Sequence, residues 1–387
     1  MNDAVSTPPD SPLRLVIAGG GTGGHVLPAV AVVEEIRRRE LSIELLWIGG
    51  HAGVESDIAN SSNIPFTAIQ TGKLRRYLSI RTFSDAARIP VGAVQAWRAL
   101  RAFRPDVIYG TGGAVSFPTI FAGARIAPIL THEQTAQIGI ANKLAMRFAN
   151  TFAASFEQTA KEARTRHRNV IVTGNPVRAS ILNGSRETGV RRYGFTDDLP
   201  VLYITGGARG ASPLNTRIEA LLPDMLEFVQ ILHQAGPASA NQDVKRLRSA
   251  RQSWPDRLQQ RYHVEEFMGN EIADVYAMAD LAIARSGAGT VAEFAHVGLP
   301  SILIPLPGTW GDEHRKNAAV LSDLGAAIVL EQNDATPERL EREIRTLIDH
   351  PDRLASMRDA ASTVIRPNAA SNLLDEILKV AGRQVTA

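Results

Sequence analysis

A short aliphatic run, a glycine-rich turn and a helix-period segment follow one another at residues 15–36 (LVIAGGGTGGHVLPAVAVVEEI) and again at residues 201–222 (VLYITGGARGASPLNTRIEALL). A strand that is apolar on both sides needs cover on both faces, and a helix following it supplies that cover; this pattern builds parallel sheets. Further β-branched or aliphatic runs at 44–48, 107–109, 129–131, 170–172, 229–233, 281–284, 301–304 and 327–329 join those at 14–18 and 201–205 as predicted strands. The fold class is α/β. Ligands of open parallel sheets bind beyond the carboxyl ends of the strands, and several of these runs lead straight into Gly, His or Arg.

At about 150 residues per domain, 387 residues make two or three domains. The duplicated unit predicts two similar halves, 14–182 and 199–366. The polar Gly- and Arg-containing stretch 183–198 is expected as a linker and residues 1–13 as a disordered tail. Residues 367–387 are expected to carry a helix that packs back on the first half. Forty-two Lys and Arg against 40 Asp and Glu leave a net charge of +2, which argues against nucleic acid as a partner. The absence of cysteine excludes disulfides, thiolate nucleophiles and Cys-ligated metal, and agrees with a reducing compartment. The first fourteen residues have neither the basic start nor the apolar run of an export signal, and no apolar run is long enough to span about 30 Å of hydrocarbon.

Gly19 to Gly24 fit G-x-G-x-x-G between a strand and a helix, where backbone N–H groups and the helix dipole meet anions. Two familiar uses fail: no acidic residue closes the next strand (LLWIGG) to hold an NAD ribose, and no Gly-Lys-Ser/Thr follows for a Walker loop. Glycines that merely allow close packing remain the alternative. Three further turns weigh against it: Gly110-Thr111-Gly112-Gly113, Gly206-Gly207-Ala208-Arg209-Gly210 and Arg285-Ser286-Gly287-Ala288-Gly289-Thr290. Glu293 falls about one turn into the helix after the last of these. There it either accepts ribose hydroxyls or simply complements the helix dipole.

Together, Gly20-Gly21-Thr22-Gly23-Gly24-His25-Val26-Leu27-Pro28-Ala29, His132-Glu133-Gln134, Gly174-Asn175-Pro176-Val177-Arg178 and Arg285 to Thr290 closely resemble the MurG family of bacterial N-acetylglucosaminyltransferases, in order and over almost the whole chain. The resemblance implies the GT-B fold, two Rossmann-like domains with a cleft between them. It implies UDP-N-acetylglucosamine (UDP-GlcNAc) as donor, held mainly by the C-terminal domain. The implied acceptor is lipid I, a lipid-linked muramyl-pentapeptide approached by the N-terminal domain and converted to lipid II in peptidoglycan synthesis. Carried over residue by residue, Thr22, Gly23, Gly24 and Arg178 approach the donor, and Met268 occupies the position whose backbone reads uracil. Ser286, Gly287, Ala288, Gly289 and Thr290 take phosphates and sugar, with Glu293 on the ribose. Gly112, Gly113 and Ser116 are acceptor-side candidates.

The chain departs from the family pattern at three donor positions: Thr135 stands for an Asn, Ala208-Arg209 for Ser-Gln, and His314 for a sugar-contacting Gln. A GT-B transferase with another donor or acceptor, or a catalytically silent UDP-sugar binder, therefore stays open. An epimerase lacks support because its Gly-Thr-Arg-Pro-Glu start is missing.

The expected reaction is inverting transfer without a metal or other cofactor: no Asp-x-Asp clamp is present, and helix N-termini with Arg178 and Arg209 supply the positive field. His25 is the first candidate for the base and Glu133 the second. Each has a structural alternative, a loop-orienting histidine and a buried hydrogen-bonded carboxylate.

Between Lys73 and Arg104 eight Lys or Arg face one acid, Asp85, with apolar and aromatic residues interleaved. Arg75, Arg76, Tyr77, Arg81, Phe83 and Trp97 fit peripheral binding to an anionic membrane surface at the cytoplasmic face. A solvated helix face over buried apolar residues is the plainer alternative.

Overall fold

The computed structural model describes residues 11–51, 55–72, 80–363 and 368–383. The chain divides into two compact units, Met1–Pro176 with Asn368–Ala387, and Val177–Pro367.

In the first unit seven parallel strands, β1 (Leu13–Gly19), β2 (Ile43–Gly50), β3 (Phe66–Ile69), β4 (Val107–Gly112), β5 (Ile129–Glu133), β6 (Thr151–Ala154) and β7 (Val170–Val172), lie in the order β3-β2-β1-β4-β5-β6-β7. Leu15, Val16, Ile17 and Ala18 of β1 are fully buried, as a central strand covered on both faces requires. In the second unit six strands, β8 (Val201–Thr205), β9 (Gln230–Gln234), β10 (Tyr262–Glu265), β11 (Leu281–Ala284), β12 (Ser301–Leu303) and β13 (Ala327–Val329), lie in the order β10-β9-β8-β11-β12-β13 and are also parallel. The strand order reverses at β1/β4 and at β8/β11. Those are the switch points where open α/β sheets bind ligands, and the glycine-rich turns end there.

All ten predicted strands are present, with ends shifted by a few residues, and β3, β6 and β10 are additional. Each of the three has only four residues. β6 reads Thr-Phe-Ala-Ala, and alanine carries little strand preference.

The predicted linker is corrected. Ala179–Asn183 is a 3₁₀ turn and Arg186–Tyr193 an α-helix, capped by the Ser185 hydroxyl accepting from Thr188 N (3.2 Å) and closed by Gly194 at φ 64°. This segment packs on the helix Ile272–Met278, with Ser185 N donating to Asp274 (2.8 Å) and Arg186 to the Met278 carbonyl (2.7 Å). A polar, Arg-rich helix with one small buried face, Gly189, reads as a linker because its apolar periodicity is weak. The chain passes between the units at Pro176/Val177 instead. Of the expected tail, residues 1–10 lie outside the described residues, and Leu13 already opens β1.

The helix Ala369–Val380 lies on the helix Gly23–Arg38. Leu373, Leu374 and Ile377 are fully buried among Val26, Ala29, Val32 and Ile36. Arg39 links the two, donating to Asp375 (2.5 Å) and to the Ser371 hydroxyl.

Candidate functional site

In the first unit β1 runs into Gly20 and Gly21 at φ 156° and 90°, and the helix Gly23–Arg38 begins behind Thr22, which makes no side-chain cap. That helix has no acid in its first turn and Arg37 and Arg38 in its last, so its N-terminal end keeps its partial positive charge. Beneath the turn, the buried Glu55 accepts from Gly21 N and Gly50 N, both at 2.9 Å. A Cβ at Gly20 would collide with this carboxylate, which is why the turn requires glycine.

His25, half-buried, meets Gln134 across Nδ1···Oε1 at 3.1 Å. Gln134 Nε2 donates to the Thr111 carbonyl (2.7 Å). Gly112 and Gly113 adopt φ 88° and 77°. At Gly113 a Cβ would lie 2.9 Å from Gly20 O and 3.1 Å from the His25 ring, so the loop closes on the histidine only without a side chain. Ser116, expected on the acceptor side, is buried and donates to Gly113 O (2.9 Å), a turn-closing contact rather than an outward hydroxyl.

Glu133 is corrected as a base candidate. It is buried and accepts from the Thr135 hydroxyl (2.7 Å), Gly139 N (2.8 Å), Asn142 Nδ2 (3.0 Å) and Thr135 N (3.2 Å). Four donors occupy its two oxygens, so it fastens the loop entering the helix Ile140–Ala145. Thr135, expected at the donor, keeps its hydroxyl between this carboxylate and the Gln137 carbonyl. Neighbouring His132 is enclosed, and burial drops its pKa to about 3, holding it neutral.

In the second unit the helix Ala288–Val297 starts behind Gly287, with open space where a Cβ would stand at Gly287 and Gly289. Glu293 accepts from the Tyr276 hydroxyl at 2.7 Å, and Arg178 Nη2 stands 3.8 Å from its other oxygen. Burial raises the Glu293 pKa above the ordinary carboxylate value, while Tyr276 and Arg178 pull it back. Ser286, fully buried, donates to the His314 carbonyl (2.7 Å), joining the turn to the helix Glu313–Ser322. The hydroxyl is thus structural, and Thr290 is left as the turn's uncommitted candidate. His314 keeps a buried Nδ1 with no partner among the described residues, and burial lowers its pKa to about 4, so its ring is neutral at physiological pH.

Ala208 and Arg209 are exposed in the turn after β8, which Gly207 enters at φ 80°. Met268 is buried, with Tyr193 OH donating to its sulfur at 3.6 Å. Its side chain therefore supports the loop after β10.

Of the membrane candidates, Arg75, Arg76 and Tyr77 lie outside the described residues. Arg81 and Phe83 lie in the helix Ile80–Phe103, but their side chains are likewise outside them. Trp97 is 43% exposed, with the Arg101 guanidinium 5.1 Å above its ring. Val91 and Val94 share its helix spacing and are both 50% exposed. Phe121, 53% exposed, belongs to the helix Ser116–Gly123 packed alongside, where it stacks with Phe117 and meets Phe148 edge-on. No helix among the described residues is long and apolar enough to cross a membrane.

The sequence reading missed Glu55, Gln134, Tyr276 and Phe121. Gln134 had a signal, since it directly follows a histidine and a glutamate at a strand's carboxyl end. Tyr276 had none, because its meeting with Glu293 joins separate helices.

Two parallel α/β units, each with a glycine-rich turn at its switch point, are the two halves of a GT-B architecture, and the family models make it that of a glycosyltransferase. Residues 15–154 match the glycosyltransferase family 28 N-terminal domain and residues 201–373 its C-terminal domain. The "UDP-N-acetylglucosamine–N-acetylmuramyl-(pentapeptide) pyrophosphoryl-undecaprenol N-acetylglucosamine transferase" of Desulforudis audaxviator is 37% identical over 377 residues, 96% of this chain and 99% of that protein. Its namesake in Halalkalibacterium halodurans is 35% identical over 363 residues, covering 93% and 98%. The crystal structure of Acinetobacter baumannii MurG superposes with a TM-score of 0.71 at 29% identity, over 95% of this chain and all of that one. A UDP-N-acetylglucosamine 2-epimerase structure, at 15% identity and a TM-score of 0.66, shares the fold alone. The chain belongs to the MurG family of glycosyltransferases.

Proposed function

We propose that this enzyme transfers N-acetylglucosamine from UDP-GlcNAc to the muramyl sugar of lipid I, giving lipid II for peptidoglycan synthesis. The full-length identity to transferases of that name carries the reading. In the reaction the acceptor hydroxyl oxygen attacks the anomeric carbon from the face opposite the nucleotide. The carbon–oxygen bond to the diphosphate breaks, UDP leaves with the electron pair, and the configuration inverts. His25 takes the hydroxyl proton. The helix end at Ala288, with Arg178 and Arg209, meets the charge that grows on UDP without a metal ion.

Glu293 receives the ribose hydroxyls. Its oxygens already point at a hydroxyl and a cation, the pairing a diol beside a diphosphate reproduces. The loop after β10 offers its backbone near Met268 to the uracil. Gly112 and Gly113 border the acceptor.

The acceptor is lipid-linked, and Val91, Val94, Trp97 and Phe121 with the surrounding arginines form the face that rests on an anionic bilayer at the cytoplasmic side of the bacterial membrane. A different UDP-sugar is the second reading, favoured by Ala208, which offers no hydroxyl, and by the neutral His314 ring. Turnover of a lipid I analogue with a panel of UDP-sugars tests both: UDP-GlcNAc is preferred and turnover survives exhaustive chelation. Preference for another sugar moves the assignment to that donor.

A further inference from the structure

Gln134 follows the last residue of β5 and is almost fully buried. Its Nε2 donates to two backbone carbonyls, Thr111 O at 2.7 Å and His132 O at 3.2 Å, and lies 3.2 Å from His132 Nδ1. Carbonyl oxygens only accept, so this end of the amide is the NH₂ group and its orientation is fixed twice over. The other end, Oε1, faces His25 Nδ1 at 3.1 Å. An amide oxygen also only accepts. The proton of neutral His25 must therefore sit on Nδ1, and the lone pair on Nε2.

We propose that Gln134 is a positioning residue that locks His25 in the Nδ1–H tautomer and leaves Nε2 as the atom that takes the acceptor proton. This rests on the reading of His25 as the base and specifies the atom it uses.

Two neighbours flank the pair. His132 is neutral, its Nε2 lies 3.1 Å from the Ser155 hydroxyl, and its Nδ1 stands 3.2 Å from the Gln134 NH₂, whose two hydrogens are taken by the Thr111 and His132 carbonyls. A Cβ at Gly113 would lie 3.1 Å from the His25 ring, so a side chain there would crowd the imidazole. The partner is an amide where many catalytic histidines use a carboxylate. Glutamate at position 134 would set a carboxylate oxygen against the Thr111 and His132 carbonyls, so the second acceptor atom is excluded by the backbone itself.

Nitrogen-15 NMR of the full chain with labelled histidine tests this, using His25→Gln to assign the signal. The proposal expects a proton-bearing Nδ1 and a bare Nε2 in the parent protein. In Gln134→Leu it expects the preference to move toward Nε2–H, kcat to fall at least about tenfold, and the KM for UDP-GlcNAc to stay within about twofold. A parent spectrum with the proton on Nε2 overturns the proposal, as does a folded Gln134→Leu with unchanged tautomer and kcat. Should that variant fail to fold, the parent spectrum decides alone. Retention of kcat by His25→Gln would sink the base reading itself, and is distinguishable because the tautomer signal is read independently of turnover.

Discussion

The two units begin alike, with a buried strand, a glycine-rich turn and an uncapped helix, yet each buries a histidine to a different end. In the first, His132 is neutral and backs Gln134, which reaches the half-buried His25. In the second, His233 is sealed between Tyr262 OH and Asn215 Oδ1, both at 3.0 Å, and Asn215 donates to Asp243 (2.8 Å). That chain ends at the Ser212 hydroxyl, 2.7 Å from Asp243, which opens the helix Ser212–Glu219. The same supersecondary unit thus carries a half-buried histidine held by an amide in one half. In the other it carries a helix start fixed by Ser212 and Asn215 on Asp243.

The sharpest break of this comparison is Glu133→Ala. Removing a buried acceptor strands three donors, since the Thr135 hydroxyl can turn to the Gln137 carbonyl; at about 1–3 kcal/mol for each left unsatisfied, the first unit should lose at least about 3 kcal/mol while the second keeps its stability. Urea titration followed by a probe in each unit checks this; a loss shared equally by both would show that the loop matters to the whole chain. Next in size is Glu293→Ala. A charge-assisted hydrogen bond contributes about 1.5–3 kcal/mol, so the KM for UDP-GlcNAc should rise about tenfold to a hundredfold. A fall in kcat with unchanged KM would instead move Glu293 to the chemistry.

Acid treats the units alike and so sharpens the comparison differently. His132 and His233 are both lowered from 6.5 to about 3 by burial. Between those values the unfolded chain binds protons that the native one refuses. Each histidine therefore contributes stability that is fully present above about pH 6.5 and erodes on acidification by about 1.4 kcal/mol per pH unit toward pH 3. Urea titrations at pH 7.5 and 5.5 should show that loss, shallower in His233→Leu for the second unit only. The smallest effect is at the surface: Trp97→Ala should weaken binding to anionic vesicles severalfold without altering turnover of a soluble acceptor analogue. Unaltered vesicle binding would point to the plainer solvated face.

Most of the sheet was legible because its strands are buried on both sides and read as unbroken aliphatic runs. β3 and β10 escaped as short edge strands, and the helix Arg186–Tyr193 escaped because its packing rests on Gly189 and Ser185 rather than on an apolar stripe. Within the site, glycine turns and charged residues near them could be read from spacing. What spacing withheld was commitment: nothing in His132-Glu133-Gln134 says that the glutamate is saturated by Thr135, Gly139 and Asn142 while the glutamine alone reaches the histidine of the helix Gly23–Arg38. That outcome depends on the positive-φ backbone at Gly112 and Gly113, which brings β4's loop over β5's end.

Single-turnover kinetics of His25→Ala at saturating donor and acceptor, with UDP affinity measured on the same sample, test the division of labour most directly. The account predicts a rate lower by about 10²–10⁴ with UDP binding unchanged. A rate within about threefold of the parent, or a loss confined to UDP affinity, would contradict it.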